Sequence, residues 1–554
     1  MGPALLMRAG VDPHGARGKP PLPPLAYAQE HDAGLLIERN VAIPLRDGVR
    51  IYADIYRPDG VAGTVNLPCL LSWSPYGKHA RSNQVFWPHS GVDPTWLSPQ
   101  TPFEGADPIA WCPRGYALAV VDPRGAWLSE GDFHHNGVVE AQDCADTIAW
   151  LADQPWSNGK VGMTGVSYLA AIQFWVAALA PPALAAINPW EGFTDWYREF
   201  ARHGGILETG FLPRASDNIA HSLGQAEDTW ANAQAHPLMD DYWRSKEIDL
   251  AAISTPAWVV ASWSDHGLHT RGTLEAFKAM ASDQKWLTVH GQKKWAHYYQ
   301  PANQRRREAF FDHFLQGRAT NLPAWPRVEI EVREAHGIGQ WRAEDEWPLA
   351  RTVATPLWLG ADGALQAAAP ADDATVTYDA TTGRAVFDHR FAEDTELTGH
   401  ASLRLWVEAD GSDDIDLFVA LQKLDASGAP VGQTFYAFFE DGPVALGWLR
   451  ASHRAVDPAR STPLQPFHHH ETEERLAPGA IVPVDVEFWP ASTRFAAGET
   501  LRLVIQGHDV MTEGLPNLPF ARHEETRNAG RHILHVGGAH PSHLLLPVIP
   551  ARKD

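Results

Sequence analysis

Two near-continuous apolar runs, LPCLLSW at 67–73 and YALAVVD at 116–122, limit the fold of this chain more than any other feature. Neither alternates with polar residues, so both faces of each strand need cover, and a parallel sheet flanked by helices supplies it. The surrounding text agrees. LLIERNVAIPL, the turn Arg46-Asp47-Gly48 and VRIYADIYRP read as a β-hairpin. Between Glu140 and Gln154, the residues Ala141, Cys144, Ala145, Ile148, Ala149 and Leu151 form one helical stripe. A short strand around Val161 and Met163 runs into Gly165, and 169–180 is helical. Strands return in PAWVVASW (256–263) and KWLTVHG (285–291), and a helix carrying Arg307, Phe310, Phe311, Phe314 and Leu315 ends at Gly317.

The pattern changes twice. After Pro181 and Pro182, residues 190–250 crowd Trp, Phe, Arg, His and Asp without strand alternation, which predicts a helical cap over the sheet. Beyond Pro323 come short alternating runs, ASLRLWVEAD (401–410), IDLFVALQKLD (415–425), VPVDVEFWP (482–490) and TLRLVIQGH (500–508), split by Gly, Pro, Asp and Ser. That is the pattern of an all-β sandwich or jelly roll. The predicted organisation is an extended or disordered arm at 1–30, an α/β unit at 31–184 and 254–322, a cap at 185–253 and a β domain at 323–554, the last boundary falling near 320–326.

Composition narrows the function. The 554 residues suffice for two to four structural units, at roughly 150 residues per domain. With 67 acidic against 45 basic side chains, the formal charge of -22 argues against nucleic acid or an anionic membrane as partner and leaves neutral and cationic small molecules open. Cys69, Cys112 and Cys144 are too scattered for a disulfide framework and lack zinc-site spacing. Gly and Pro break the N-terminal stretch, so no export signal is visible, and nowhere do about 18 apolar residues run together. The expectation is a soluble, cytoplasmic protein.

The stretch KVGMTGVSYLAAIQFW (160–175) carries the chemistry: a strand, Gly165, Ser167, then a helix. In a nucleophile elbow the serine sits on a tight strand-to-helix turn that exposes its hydroxyl, and close passage of strand and helix demands small neighbours. Leu169 stands where the general GxSxG pattern has its second glycine. A plain serine N-cap is the competing reading. An elbow serine needs an acid and then a histidine further along the chain. Asp265 follows AWVVASW after one serine, at a strand's carboxyl end, although a turn or N-cap aspartate would look the same. His297 lies past the next strand in GQKKWAHYYQ; His290, His266 and His269 are its rivals among 27 histidines.

At this point the chain resembles the cocaine esterase and X-prolyl dipeptidyl-peptidase family, whose serine motif reads GxSYxG; here it is Gly165-Val166-Ser167-Tyr168-Leu169-Ala170, with alanine for the final glycine. RDGVRIYADIYRP (46–58), SPYGKH (74–79), DPRG (122–125), SEGDF (129–133), DQPWSNGKVGMTGVSY (153–168) and LTGHASLRLWVEAD (397–410) extend the likeness from about residue 39 to 545. The resemblance implies an α/β hydrolase fold with a helical cap insertion followed by a jelly roll. It implies Ser167 as nucleophile, Asp265 as orienting acid and His297 as base. The family's WYD and GPWSH patterns stand here as Trp263-Ser264-Asp265 and, lengthened, Gly291-Gln292-Lys293-Lys294-Trp295-Ala296-His297. It further implies an oxyanion hole from the Tyr76 hydroxyl and the Tyr168 amide.

Trp190, Trp196, Phe200, Trp263 and His266 are the candidate pocket walls, while most of the 23 tryptophans should pack cores and interfaces. Consecutive His468, His469 and His470 point different ways and predict no metal site. Asp122 and Arg124 read as turn-holding residues. The expectation is a serine hydrolase that forms an acyl-enzyme from a small ester or amide and needs no cofactor. Its cap would shape the acyl pocket, and its jelly roll would cover one side and could mediate assembly into a homo-oligomer. HGLHTRG after Asp265 offers no carboxylate to an α-amino group, though Glu199, Glu208 or Asp195 in the cap would restore one. An acyltransferase, an X-prolyl or α-amino-acyl peptidase and a non-catalytic binding protein are the alternatives.

Overall fold

The structure is a computed structural model that describes residues 5–15, 22, 24–60, 66–82, 88–511 and 521–550. Its α/β unit is one twisted sheet. β1 (Leu35–Pro44) and β2 (Arg50–Pro58) form the expected hairpin, followed by β3 (Leu67–Trp73), β4 (Ala117–Asp122), β5 (Ser157–Val166), β6 (Leu184–Trp190), β7 (Ala257–Ser262), β8 (Lys285–His290) and β9 (Val328–Ala335). Spatially the order is β1-β2-β4-β3-β5-β6-β7-β8-β9, antiparallel as far as β4 and parallel from there to β9. Every residue of β3, β4 and β7 is buried, as apolar strands covered on both faces require.

The covering helices include α1 (Val138–Ala152), α2 (Tyr168–Ala178), α4 (Thr270–Ala279) and α6 (Pro301–Gln316), with α3 (Phe211–Asn218) in the cap and α5 (Lys294–Tyr299) at the sheet's edge. Pro301 opens α6, where its missing N–H costs nothing, and Gly317 at φ 66° closes it in the left-handed conformation. The sheet reaches further than the sequence pattern suggests at two places. Leu184–Trp190, all but its first residue assigned to the cap by the pattern, is a parallel strand between β5 and β7. Val328–Ala335, beyond Pro323, extends the sheet parallel to β8 and pairs with Ile338–Glu344. Between β6 and β7 lie a π-helical turn (Trp196–Ala201), a two-stranded hairpin, α3 and two further short helices. Met7–Ala9 pairs with Gln225–Glu227, and Ala28–Asp32 pairs with β1, so parts of the N-terminal arm are strand; residues 1–4, 16–21 and 23 of that arm lie outside the described residues.

The β domain is antiparallel. β10 (Thr395–Asp410) pairs with β13 (Val482–Phe495), β15 (Arg531–Val536) and β16 (His543–Ile549), while β11 (Asp416–Leu424) lies between β12 (Ala445–Arg450) and β14 (Thr500–Gln506). Alternation assigns the two faces of β11. Leu417, Val419 and Leu421 join the domain's own core, whereas Phe418 and Ala420 join the core of the α/β unit. Polar links fix the same interface: Arg271 lies 2.9 Å from Glu199 and 3.2 Å from Glu487, and the Tyr436 N–H donates to the Ser264 carbonyl at 2.6 Å. The β domain is therefore locked against the loop that follows β7.

Candidate active site

Ser167 stands between the end of β5 and the start of α2 with φ 60° and ψ −115°, backbone angles an L-residue adopts at a cost of about 1–3 kcal/mol. The turn is fixed on both sides. The Ser167 N–H donates to the Trp190 carbonyl at 3.1 Å, and its own carbonyl accepts from the Ala170 and Ala171 N–H groups at 3.0 and 2.8 Å. A Cβ on Gly165 would come within 2.5 Å of the Leu169 Cβ and 3.1 Å of the Glu104 carbonyl oxygen, so only glycine fits beneath the elbow. Leu169 and Ala170 are fully buried against it, and the departures from GxSxG leave the turn intact.

The histidine facing Ser167 is His269. Its Nε2 lies 3.1 Å from the serine Oγ, and its Nδ1 is hydrogen-bonded to Asp265 Oδ2. Both residues come from the single loop after β7. Asp265 lies three residues beyond the strand's end, its carbonyl accepts the His269 N–H at 3.1 Å, and the resulting turn places side chains four residues apart side by side as α4 begins. The Asp265 N–H is held by Thr270 Oγ1 at 3.1 Å. A third charge shares the carboxylate: Lys294 Nζ lies 2.6 Å from Asp265 Oδ2 and 3.1 Å from His269 Nδ1. Burial disfavours the Asp265 anion, but Lys294 and His269 outweigh it and hold the carboxyl well below the usual range. Burial and then Lys294 push His269 below the ordinary imidazole value, against the opposing pull of Asp265. Burial works against the Lys294 ammonium too, yet Asp265, Glu191 and Glu104 raise it overall.

The expectation that His297 faces the serine is not met. His297 is buried on α5, its ring 3.8 Å from that of His290 and within aromatic contact of Trp190 and Trp341, and its Nδ1 is 2.8 Å from Gln300 Nε2. The reason is the lengthened loop after β8. It begins α5 at Lys294, so the long ammonium side chain takes the place beside Asp265 and the histidine one turn later packs among aromatic rings.

Tyr76, in the loop after β3, places its hydroxyl beside both the Ser167 side chain and the Glu104 carboxyl. That loop is pinned by Lys78, whose N–H donates to Asp122 Oδ1 at 2.6 Å and whose buried ammonium lies 3.4 Å from Asp54. Asp122 thus holds a turn, and Arg124 pairs with Asp143 and Asp47. Tyr168 is the first residue of α2, where no intrahelical bond consumes its N–H, and its hydroxyl donates to Glu140 at 2.8 Å. Glu104 is pushed up to about 8, chiefly by burial, with Lys294, Trp295 and Tyr76 opposing the rise. It therefore keeps its proton at neutral pH.

These groups open onto a cavity of about 570 Å³. Trp196 and Phe200 line it as expected from sequence, with Tyr76, Ser167 and Tyr168 at its base. Trp190, Trp263 and His266 do not. Trp190 turns its indole to Asn188 Oδ1 at 2.7 Å, Trp263 donates to the Glu331 carbonyl at 2.8 Å, and His266 bridges the Leu446 N–H and the Pro490 carbonyl. All three are buried supports rather than walls. Phe103, Phe193, Leu268, Trp295 and, from the β domain, Tyr436 add to the apolar lining. Sequence reasoning missed them because each sits in a loop or short helix where no periodicity assigns a face. The cap carboxylates are committed elsewhere: Glu199 to Arg271 and the Thr194 N–H, Glu208 to the N–H groups of Gly210, Phe211 and Leu212, and Asp195 to Arg198. Among the described residues, no group of three or more His, Cys, Asp or Glu is placed to hold a metal ion; the His468 carbonyl instead accepts from Arg198.

Comparisons with known proteins agree along the chain. The family described as X-Pro dipeptidyl-peptidase (S15 family) matches residues 47–299, and the X-Pro dipeptidyl-peptidase C-terminal non-catalytic domain matches residues 323–545. A crystal structure of a CocE/NonD family hydrolase from Staphylococcus aureus is 39% identical, with a TM-score of 0.90 over 93% of this chain and 94% of that one. Cocaine esterase from a Rhodococcus species is 30% identical over 394 residues, and the match spans 60% of this chain but only 64% of that enzyme's length. An α-amino acid ester hydrolase shares the fold, with a TM-score of 0.69 at 18% identity.

Proposed function

Since the chain belongs to the CocE/NonD and S15 family of serine hydrolases, we propose that it cleaves a small carboxylic ester, or less readily an amide, through an acyl-enzyme on Ser167. The observation that carries this reading is the hydrogen-bond chain Ser167–His269–Asp265 facing a largely apolar cavity. His269 accepts the Ser167 proton as Oγ attacks the carbonyl carbon. The Tyr76 hydroxyl and the Tyr168 N–H donate to the tetrahedral oxyanion, and the imidazolium then protonates the departing alcohol or amine. Water, deprotonated by the same histidine, releases the acid and restores the serine.

Asp265 fixes the imidazole tautomer and stabilises its charged form. Lys294 acts in the opposite sense and keeps His269 neutral, and so able to accept a proton, at lower pH. With the cap carboxylates committed, Asp217 paired with Arg8 and Glu104 raised to about 8, no unpaired carboxylate among the described residues is offered to a substrate ammonium, which favours esters without an α-amino group. Three buried, free thiols fit a reducing compartment, and we assign the protein to the cytoplasm. Among the described residues, no helix is long and apolar enough to cross a membrane.

The reading is tested by rapid mixing with p-nitrophenyl esters of increasing acyl length. A nitrophenol burst with the acyl mass on Ser167, lost in Ser167→Ala, is the expected result. Undiminished turnover in Ser167→Ala contradicts it.

A further inference from the structure

The charged residues that face the cavity are few, and all but one are compensated. Lys294 is paired with Asp265 at 2.6 Å. Asp217 is paired with Arg8 at 2.7 Å, and Arg8 also donates to the Ser216 carbonyl at 2.8 Å. Glu104 is pushed up to about 8 by burial, and burial and Lys294 hold His269 below the ordinary imidazole value. The exception is Arg214 on α3. It lines the same cavity, and among the described residues its guanidinium has neither a hydrogen-bond nor an ion-pair partner. Partial burial lowers its pKa with no anion opposing the shift. Asn218 follows four residues later on the same helical face and also lines the cavity.

A partly desolvated guanidinium facing apolar walls is an incomplete ion pair, and its planar fork of donors matches a carboxylate. Resting on the hydrolase reading above, we propose that Arg214, with the Asn218 amide beside it, forms an anion subsite and that the substrate is an ester or amide bearing a carboxylate away from the scissile bond. The net charge of -22 makes such a local cation the more telling. Long-range attraction would not draw an anion to this molecule, so recognition rests on contact at the site.

The experiment compares kcat/KM for two matched pairs of probes. p-Nitrophenyl hemiglutarate against p-nitrophenyl valerate places the carboxylate in the acyl part. 4-Acetoxybenzoate against 4-acetoxybenzamide places it in the leaving group. In at least one pair the native enzyme should prefer the charged member, and Arg214→Gln should reduce that charged-to-neutral ratio by about ten- to hundredfold. Arg214→Lys, a point charge without the fork, should retain part of it. Taking the ratio cancels any general loss of activity in the variant. A native ratio at or below one in both pairs, or a ratio unmoved by Arg214→Gln, overturns the anion subsite. Fluorophosphonate labelling of Ser167 in the same samples separates that outcome from failure of the hydrolase reading, which would show as no labelling and no turnover of any probe.

Discussion

The loops after β7 and β8 leave the sheet side by side, and each carries a histidine a few residues beyond its strand. Only the first delivers that histidine to the serine. From Asp265 to His269 the chain makes one turn, held by backbone bonds to the Asp265 carbonyl, and acid and base emerge already hydrogen-bonded. From His290 the chain runs through Gly291, Gln292 and Lys293 before α5 starts, and it presents Lys294 and Trp295 to the cavity while His297 packs against His290. Adjacent loops can thus hold the same residue type with opposite fates, because the number of residues before the helix decides which side chain reaches the acid. Here the second loop supplies the charge that adjusts the base in the first.

Changes in the β7 loop should cost most. Asp265→Asn keeps the shape but removes the anion that sets the tautomer of His269, and kcat should fall about 10⁴-fold in steady-state ester hydrolysis. Tyr76→Phe removes one oxyanion donor, and a loss of about 10²–10³-fold in kcat with little change in KM is expected. Lys294→Met sharpens the contrast between the loops. With the neighbouring cation gone, the His269 pKa rises toward its ordinary value, so the acid limb of the kcat/KM profile should move to higher pH; a limb that stays in place would remove Lys294 from the account. The smallest effect belongs to Glu104. Losing its proton near pH about 8 puts a negative charge beside the Tyr76 hydroxyl, which opposes the oxyanion, so activity should decline above that pH. Glu104→Gln keeps the acceptor for Trp295 and should remove this decline, as read from the alkaline limb.

Much of this was legible in the residues, and what was not has physical causes. Ser167 could be found because an elbow needs a glycine where Gly165 stands, and Asp265 because an apolar strand ends shortly before it. The Asp265-x-x-x-His269 spacing was also present, but its meaning depends on a helical turn starting at that point, which no periodicity in WSDHGLHTRG announces. The sides taken by Trp190 and Trp263 were hidden for a related reason. Strands buried on both faces lack the alternation that would tell one side from the other, so a bulky residue at the strand end can point to the cavity or away from it. In the β domain, alternation was clear and the strands followed it. Val328–Ala335 escaped because the same alternating pattern serves an outlying strand of the α/β sheet as well as a jelly-roll strand.

If His269 is the base, the rate of fluorophosphonate labelling at Ser167, followed by intact mass, depends on His269 and not on His297. His269→Ala should slow labelling by several orders of magnitude, while His297→Ala, in protein of native circular dichroism, should label at close to the native rate. The reverse order, with His297→Ala silent and His269→Ala near native, would contradict the account.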